Sequence, residues 1–296
     1  MTTRTLDSPP ATAPLYLKAA LPALPLIGRL PGIRHASRDV PDTTLVREHI
    51  TTDGANLAAY ADVCGFALRN ALPGTYPHLA AFGLQMSLMT DPAFPFAPMG
   101  VVHLTNSITQ HVPIDVTDEY ALSVCATNLR AHPRGRVVDL VSRATVDDSI
   151  VWEETSTYLA RGRRDDTVAA DSPVADVEAP EGSTRWRLRG DLGRRYGAVS
   201  GDRNPIHMYA LSAKAFGFSR QIAHGMWTKA RCLSALESRL PDAYRVDVEF
   251  KKPIMLPGSV TFGSAPFGGD AGADTTFGVT SRDRDKTHLV GRVAAL

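Results

Sequence analysis

The sequence predicts an α+β fold of two tandem units, each a long helix wrapped by a curved antiparallel sheet, the two pairing as a pseudo-dimer. Three observations predict it. Tyr60-Ala-Asp-Val-Cys-Gly-Phe66 matches Tyr196-Gly-Ala-Val-Ser-Gly-Asp202, with Tyr, Val and Gly in one register, so the chain carries an internal repeat. Downstream of each copy runs an alternating apolar–polar stretch with a proline midway, at 102–124 and 244–264, followed by two further strand patterns. Between the copies, residues 163–184 are rich in charge, Ala and Pro with no strand or helix period, which is the composition of a linker.

Each element follows in order. Residues 1–40 form an N-terminal arm whose apolar run LYLKAALPALPLIG (15–28) is interrupted by Lys18 and two prolines and preceded by Asp7. That pattern argues against a secretory signal and for an arm packed on the body. The first unit, 41–162, has a strongly apolar helix near 79–90 and strand patterns at 102–124, 135–148 and 150–160. Its Met86 and Met89 read as core. The second unit, 185–296, places a helix from Gly225 toward Pro241, with Met226, Ala230, Leu233 and Leu236 on one stripe. Strand patterns follow at 244–264, 275–283 and 287–296.

Composition narrows the function. Of 296 residues, 44% are hydrophobic and 21% charged, and the net charge of +1 argues against a nucleic-acid partner. Arginines cluster at 161–164 and 185–195; solvated faces account for them, with anchoring of a ligand phosphate as the alternative. Cys64, Cys125 and Cys232 are odd in number and far apart, which is no disulfide framework and points to a reducing cytoplasm. No run of about 18 apolar residues occurs, so no stable membrane insertion is expected.

The chemistry is concentrated in YGAVSGDRNPIHMYALSAKAFGFSRQIAHGM, 196–226. Pro205 fixes one φ and Gly201 permits an unusual turn, so Asp202 and His207 sit on a shaped loop able to aim both side chains at one point. Carboxylate and imidazole are a common acid–base pair near neutral pH. Asn204 can support the loop, as can Ser200 and Gly201. Ser200 lies in G-A-V-S-G, which is not a nucleophile elbow. GDLGRRYG (190–197) fits no phosphate-binding pattern, and His207 with His224 lacks metal-site spacing. Gly225 opens the helix, where its N–H is unpaired and a ligand carbonyl can approach closely; His224 reads as a cap or packing residue. The first copy has Phe66 where the second has Asp202, and Ala71 where it has His207, so one working site is expected from two copies.

These residues resemble a known family. Y-G-A-V-S-G-D-R-N-P-I-H, then A-F-G-F and I-A-H-G-M, look like the hydratase motif of the MaoC-like (R)-specific enoyl-thioester hydratases and dehydratases. T-Y-P-H-L-A-A-F, M-S-L-M-T-D-P-A-F-P-F-A-P-M-G and P-D-A-Y-R-V-D-V-E-F-K-K-P-I-M-L-P extend the likeness to the actinobacterial double-hot-dog subgroup. The resemblance implies a double hot-dog fold and reversible hydration of trans-2-enoyl thioesters to (R)-3-hydroxyacyl thioesters in fatty-acid metabolism. It implies Asp202 and His207 as the catalytic dyad, Gly225 as the carbonyl-polarising amide, and no cofactor or metal. The implied substrate is a thioester of coenzyme A or acyl carrier protein; the sequence leaves open a homodimer of pseudo-dimers. The alternatives are a hot-dog acyl-thioesterase and a non-catalytic acyl-thioester binding protein.

Overall fold

The computed structural model describes residues 2–20, 37–266 and 274–296. The arm supplies β1 (Thr2–Thr5) and α1 (Thr12–Ala20). The first unit comprises β2 (Thr43–Ile50), α2 (Gly54–Cys64), α3 (Pro77–Met89), β3 (Val102–Gln110), β4 (Tyr120–His132), β5 (Gly135–Val146) and β6 (Ser149–Arg161). The second comprises β7 (Thr184–Leu188), α4 (Leu192–Ser200), α5 (Pro205–Met208), α6 (Ala210–Ala215), α7 (Gly225–Leu236), β8 (Tyr244–Phe250), β9 (Gly258–Pro266), β10 (Thr275–Ser281) and β11 (Thr287–Ala295).

The strands form one 11-stranded sheet in the order β1-β2-β4-β5-β6-β3-β8-β11-β10-β9-β7. Read outward from the centre, β3-β6-β5-β4-β2 and β8-β11-β10-β9-β7 are the same order, which is a pseudo-twofold axis. The antiparallel β3–β8 pair joins the units, with Ser107 opposite Asp247. Continuous pairing across the middle leaves no exposed edge where the units meet.

The sheet curves around α3 and α7. α3 buries Ala81, Leu84, Leu88 and most of its remaining surface, so it is apolar all round rather than amphipathic, as a helix enclosed on every side must be. Pro77 starts it at a position where a missing N–H costs nothing. Side chains of α7 reach into the other unit: Trp227 Nε1 donates to Val63 O at 2.8 Å and Lys229 Nζ to Asn106 O at 3.1 Å.

The structure departs from the sequence reading in several places. The repeated segments at Tyr60 and Tyr196 lie on short helices, α2 and α4, for which the sequence reading named no element. The arm is folded, with Leu15 and Tyr16 packed against Phe82, Met86 and Met89; the part of its apolar run at 21–28 lies outside the described residues. Residues 162–183 hold no helix or strand but lie along the second unit, where Val174 and Val177 are buried against Val290 and Ser172 Oγ donates to Glu249 Oε2 at 2.9 Å. Among the described residues no helix is long and apolar enough to cross a membrane.

One correction concerns the degenerate copy. Ala71 bridges Asp115 as Ile222 bridges Met255. Leu72 N bonds Ile114 O as Ala223 N bonds Ile254 O. Ala71 is therefore the counterpart of Ile222, not of His207. Both copies leave their first helix through a left-handed glycine, Gly65 at φ 87° and Gly201 at φ 75°. Residues 66–70 then span in the first copy what 202–221 span in the second. The first copy lacks the α5–α6 segment altogether, so it has no backbone on which to mount a histidine. Grafting Phe66→Asp with Ala71→His onto an Asp202→Asn chain is expected to add no turnover; activity above that of Asp202→Asn in the triple variant would contradict the correspondence.

Candidate active site

Gly201 ends α4 in the left-handed region, which only a residue without Cβ adopts freely, and turns the chain into the polar loop. Asp202 N donates to Ser200 Oγ at 3.2 Å. Asn204 then caps α5, its Oδ1 accepting from Ile206 N at 3.4 Å, with Pro205 as the first helical residue. This single turn carries His207 back toward Asp202. His207 Nδ1 lies 2.8 Å from Ile222 O. A carbonyl can only accept, so Nδ1 carries the proton and Nε2 keeps its lone pair. Ser200, Gly201, Asp202, Asn204 and His207 are thus brought together by these bonds.

The loop sits where it does because α4 can lie against it. A Cβ on Gly193 would stand 2.0 Å from His207 O, and one on Gly197 would stand 2.7 Å from Asp202 O. The unassigned GDLGRRYG stretch therefore sets the spacing of the polar loop. Gly193→Ala is expected to push the His207 turn away and lower turnover by on the order of 10²-fold, while a buried surface change costs only a few kcal/mol. Wild-type kinetics in a folded Gly193→Ala chain would overturn that reading.

His224 caps α7 without a side-chain capping bond. Its ring stacks on His207 at 3.7 Å between centroids, 26° from parallel, and its Nε2 donates to Asp202 O at 2.9 Å. It braces the pair from beneath. Burial, reinforced by neighbouring His207, lowers its pKa to about 3, so it is neutral. Gly225 follows as the first residue of α7, its N–H without an intrahelical acceptor. Phe250 closes the space beside it, 3.0 Å from where a Cβ would stand.

Asp202 is pushed up by burial, but the His224 and His207 rings, the Tyr16 hydroxyl and the Asn204 N–H outweigh that and hold it below the usual carboxylate range. Burial drives His207 below the usual imidazole range against the pull of Asp202. At neutral pH the site therefore presents a carboxylate beside a neutral imidazole. Donor atoms of Asp202, His207 and His224 lie within 4.8 Å of one another. Near-parallel stacked rings cannot aim both in-plane lone pairs at one ion, so this set suits hydrogen bonding better than metal coordination.

A cavity of about 350 Å³ connects these groups. One wall is apolar, with Phe82, Met86 and Met89 of α3; Arg134, Arg161, Lys251, Lys252 and His288 also line it. Met86 and Met89 both pack in the core and face the cavity, and Arg161 of the first arginine cluster lines it too. Sequence reasoning missed two features. Tyr16, on α1, donates its hydroxyl to Asp202 Oδ1 at 2.5 Å. A buried polar cluster under the cavity joins His78, Gln85, Asn106, Glu154 and Lys229. No local pattern announces either, since both are assembled across the fold.

Comparison with known proteins bears on this site. The family model for the MaoC-like domain matches residues 177–286, the stretch that holds the polar loop and α7. The 3-hydroxyacyl-thioester dehydratase X of Mycobacterium tuberculosis is 40% identical over 281 residues, spanning 95% of this chain and 96% of that protein. The chain belongs to the MaoC-like dehydratase family. It is a hydro-lyase of that family, with the double hot-dog architecture. The crystal structure of HtdX from M. tuberculosis superposes with TM-score 0.74 at 39% identity, covering 86% of this chain and all of that one. A second M. tuberculosis protein, with a double hotdog fold, gives TM-score 0.54 at 15% identity over 85% of this chain and 95% of its own, a likeness of fold alone.

Proposed function

We propose that the chain catalyses the reversible hydration of trans-2-enoyl thioesters to (R)-3-hydroxyacyl thioesters, with Asp202 and His207 as the acid–base pair and Gly225 N–H as the group that polarises the thioester carbonyl. The observation that carries this reading is the fixed tautomer of His207. With Nδ1–H held on Ile222 O, Nε2 is a base aimed at the cavity beside an ionised Asp202.

The steps follow from these atoms. A water held by Asp202 and His207 Nε2 gives Nε2 a proton as its oxygen bonds to C3. The C2=C3 electrons move onto the thioester oxygen, whose growing charge meets the Gly225 N–H and the positive end of the α7 dipole. The enolate then collapses and takes at C2 the proton that Nε2 holds. Water adds on one face, so a single dyad suffices, and every proton is returned without a cofactor.

The apolar wall of Phe82, Met86 and Met89 suits an acyl chain, and the cations of the cavity suit the phosphate of a phosphopantetheine arm, a group that coenzyme A and acyl carrier protein share. Cys64, Cys125 and Cys232 are buried and unpaired, which fits a cytoplasmic protein. The test is purified protein with crotonyl-coenzyme A. Loss of enoyl absorbance without free thiol is the expected result. Free thiol would establish a thioesterase instead, and saturable binding without either change would establish a binding protein.

A further inference from the structure

We propose that Tyr16 of the N-terminal arm is a positioning residue for the reaction: its hydroxyl holds Asp202 Oδ1 and so presents Oδ2 to the reacting water. The inference rests on Asp202 being the catalytic carboxylate.

Among the described residues, both hydrogen bonds that the Asp202 carboxylate accepts fall on Oδ1, from Tyr16 Oη at 2.5 Å and from Asn204 N at 3.1 Å. Oδ2 stands 3.8 Å from His224 Nε2, which is committed to the Asp202 backbone carbonyl instead. One oxygen is thereby anchored and the other left for water. A carboxylate held by one amide alone can swing about its χ2; a second donor on the same oxygen restrains that rotation.

The arm is built to deliver this hydroxyl. Pro10 lies against Gly83 of α3, where a Cβ would meet its ring at 3.5 Å. Leu15 and Ala19 pack on the same α3 surface that lines the cavity, and Tyr16 also lines it. Burial, the Asp202 charge and the hydrogen bond to it all push the Tyr16 phenol far above its ordinary range, so it remains a donor throughout the working range. The polar loop of 196–226 does not contain its own second support. The arm completes it from 186 residues away.

Tyr16→Phe in the full chain tests this, since it removes one oxygen and keeps the ring. Tyr16→Leu serves as a second variant without the ring, with Asp202→Asn measured beside both. Loss of a hydrogen bond to a charged group is expected to lower kcat by roughly tenfold in Tyr16→Phe, with KM nearly unchanged. Of the two titrations that shape the acid limb of kcat/KM, that of Asp202 should move to higher pH, because the carboxylate loses a donor while His207, His224, His103, Tyr158 and Tyr196, the other titratable groups acting on it, stay in place. Tyr16→Leu should lose at least as much. An unchanged kcat, or a lowered kcat with the Asp202 titration unmoved, overturns the proposal. Faster turnover overturns it too, and would mean that the arm plugs the site. If Asp202→Asn keeps wild-type turnover, the dyad itself falls, a result distinct from a Tyr16 failure in an otherwise Asp202-dependent enzyme.

Discussion

His207→Ala is expected to lower hydration of a trans-2-enoyl thioester by about 10²–10⁴-fold, and Asp202→Asn by a similar factor, with circular dichroism unchanged in both. In the alanine variant, Nε2 no longer takes the proton from water or returns it to C2. In the asparagine variant the shape survives and Oδ1 can still accept from Tyr16 and Asn204, but an amide replaces the second carboxylate oxygen and cannot help draw a proton from water. The pH dependence follows with the same sign. The proposed mechanism requires His207 neutral and Asp202 ionised, and both groups lie below their ordinary values of 6.5 and 3.8. The acid limb of kcat/KM therefore falls at a pH below 6.5, not at it. Folded variants that hydrate at the wild-type rate would remove both residues from the mechanism.

What the sequence reveals here depends on distance along the chain. The groups assigned to the reaction, Asp202, His207 and Gly225, fall within 196–226 because a capped helical turn and a helix start are local structures, set by Gly201, Asn204, Pro205 and the following glycine. The pseudo-twofold was legible for the same reason: each copy repeats its strand periods in order. Three things were not. Gly193 and Gly197 look like loop glycines until α4 is seen lying against the backbone of His207 and Asp202. Ala71 aligns with His207 by counting forward from the repeated glycine, and only strand bridging reveals that a whole segment is missing between them. The anchoring of Asp202 by Tyr16 is a contact between remote segments, which periodicity and spacing cannot encode.

The buried cluster beneath the cavity carries the largest stability effect. Lys229 lies one turn after Gly225 on α7 and is wholly buried. Its ammonium donates to Asn106 Oδ1, to Asn106 O and to Val246 O. Asn106 Nδ2 in turn donates to Glu154 Oε1 at 2.7 Å, and His78 and Gln85 also bond the Glu154 carboxylate, at 2.8 and 3.1 Å. The lysine comes from the second unit and the carboxylate from the first, so their attraction acts across the two units, beside Asp247 and His78, which act on each charge from within its own unit. Burial, joined by the neighbouring Arg245 charge, pulls Lys229 down, to about 7, with Glu154 and Asp247 working against it. Glu154→Leu removes the larger of those two counter-charges and leaves three donors facing an apolar side chain. It is expected to cost about 3–5 kcal/mol, and so to lower Tm by on the order of 10 °C. Glu154→Leu combined with Lys229→Met should recover the part of the loss that comes from the uncompensated charge, because replacing both members of a buried pair by apolar groups of similar size is often neutral. Thermal unfolding of the two variants separates charge from packing. If the single variant melts like the wild type, the carboxylate is not compensating Lys229. If the double variant is less stable than the single, the cluster acts through hydrogen bonds and shape, and the charge coupling across the pseudo-twofold is refuted. With the coupling intact, α7 is held one turn after Gly225 by the Lys229–Asn106 contact between the two units.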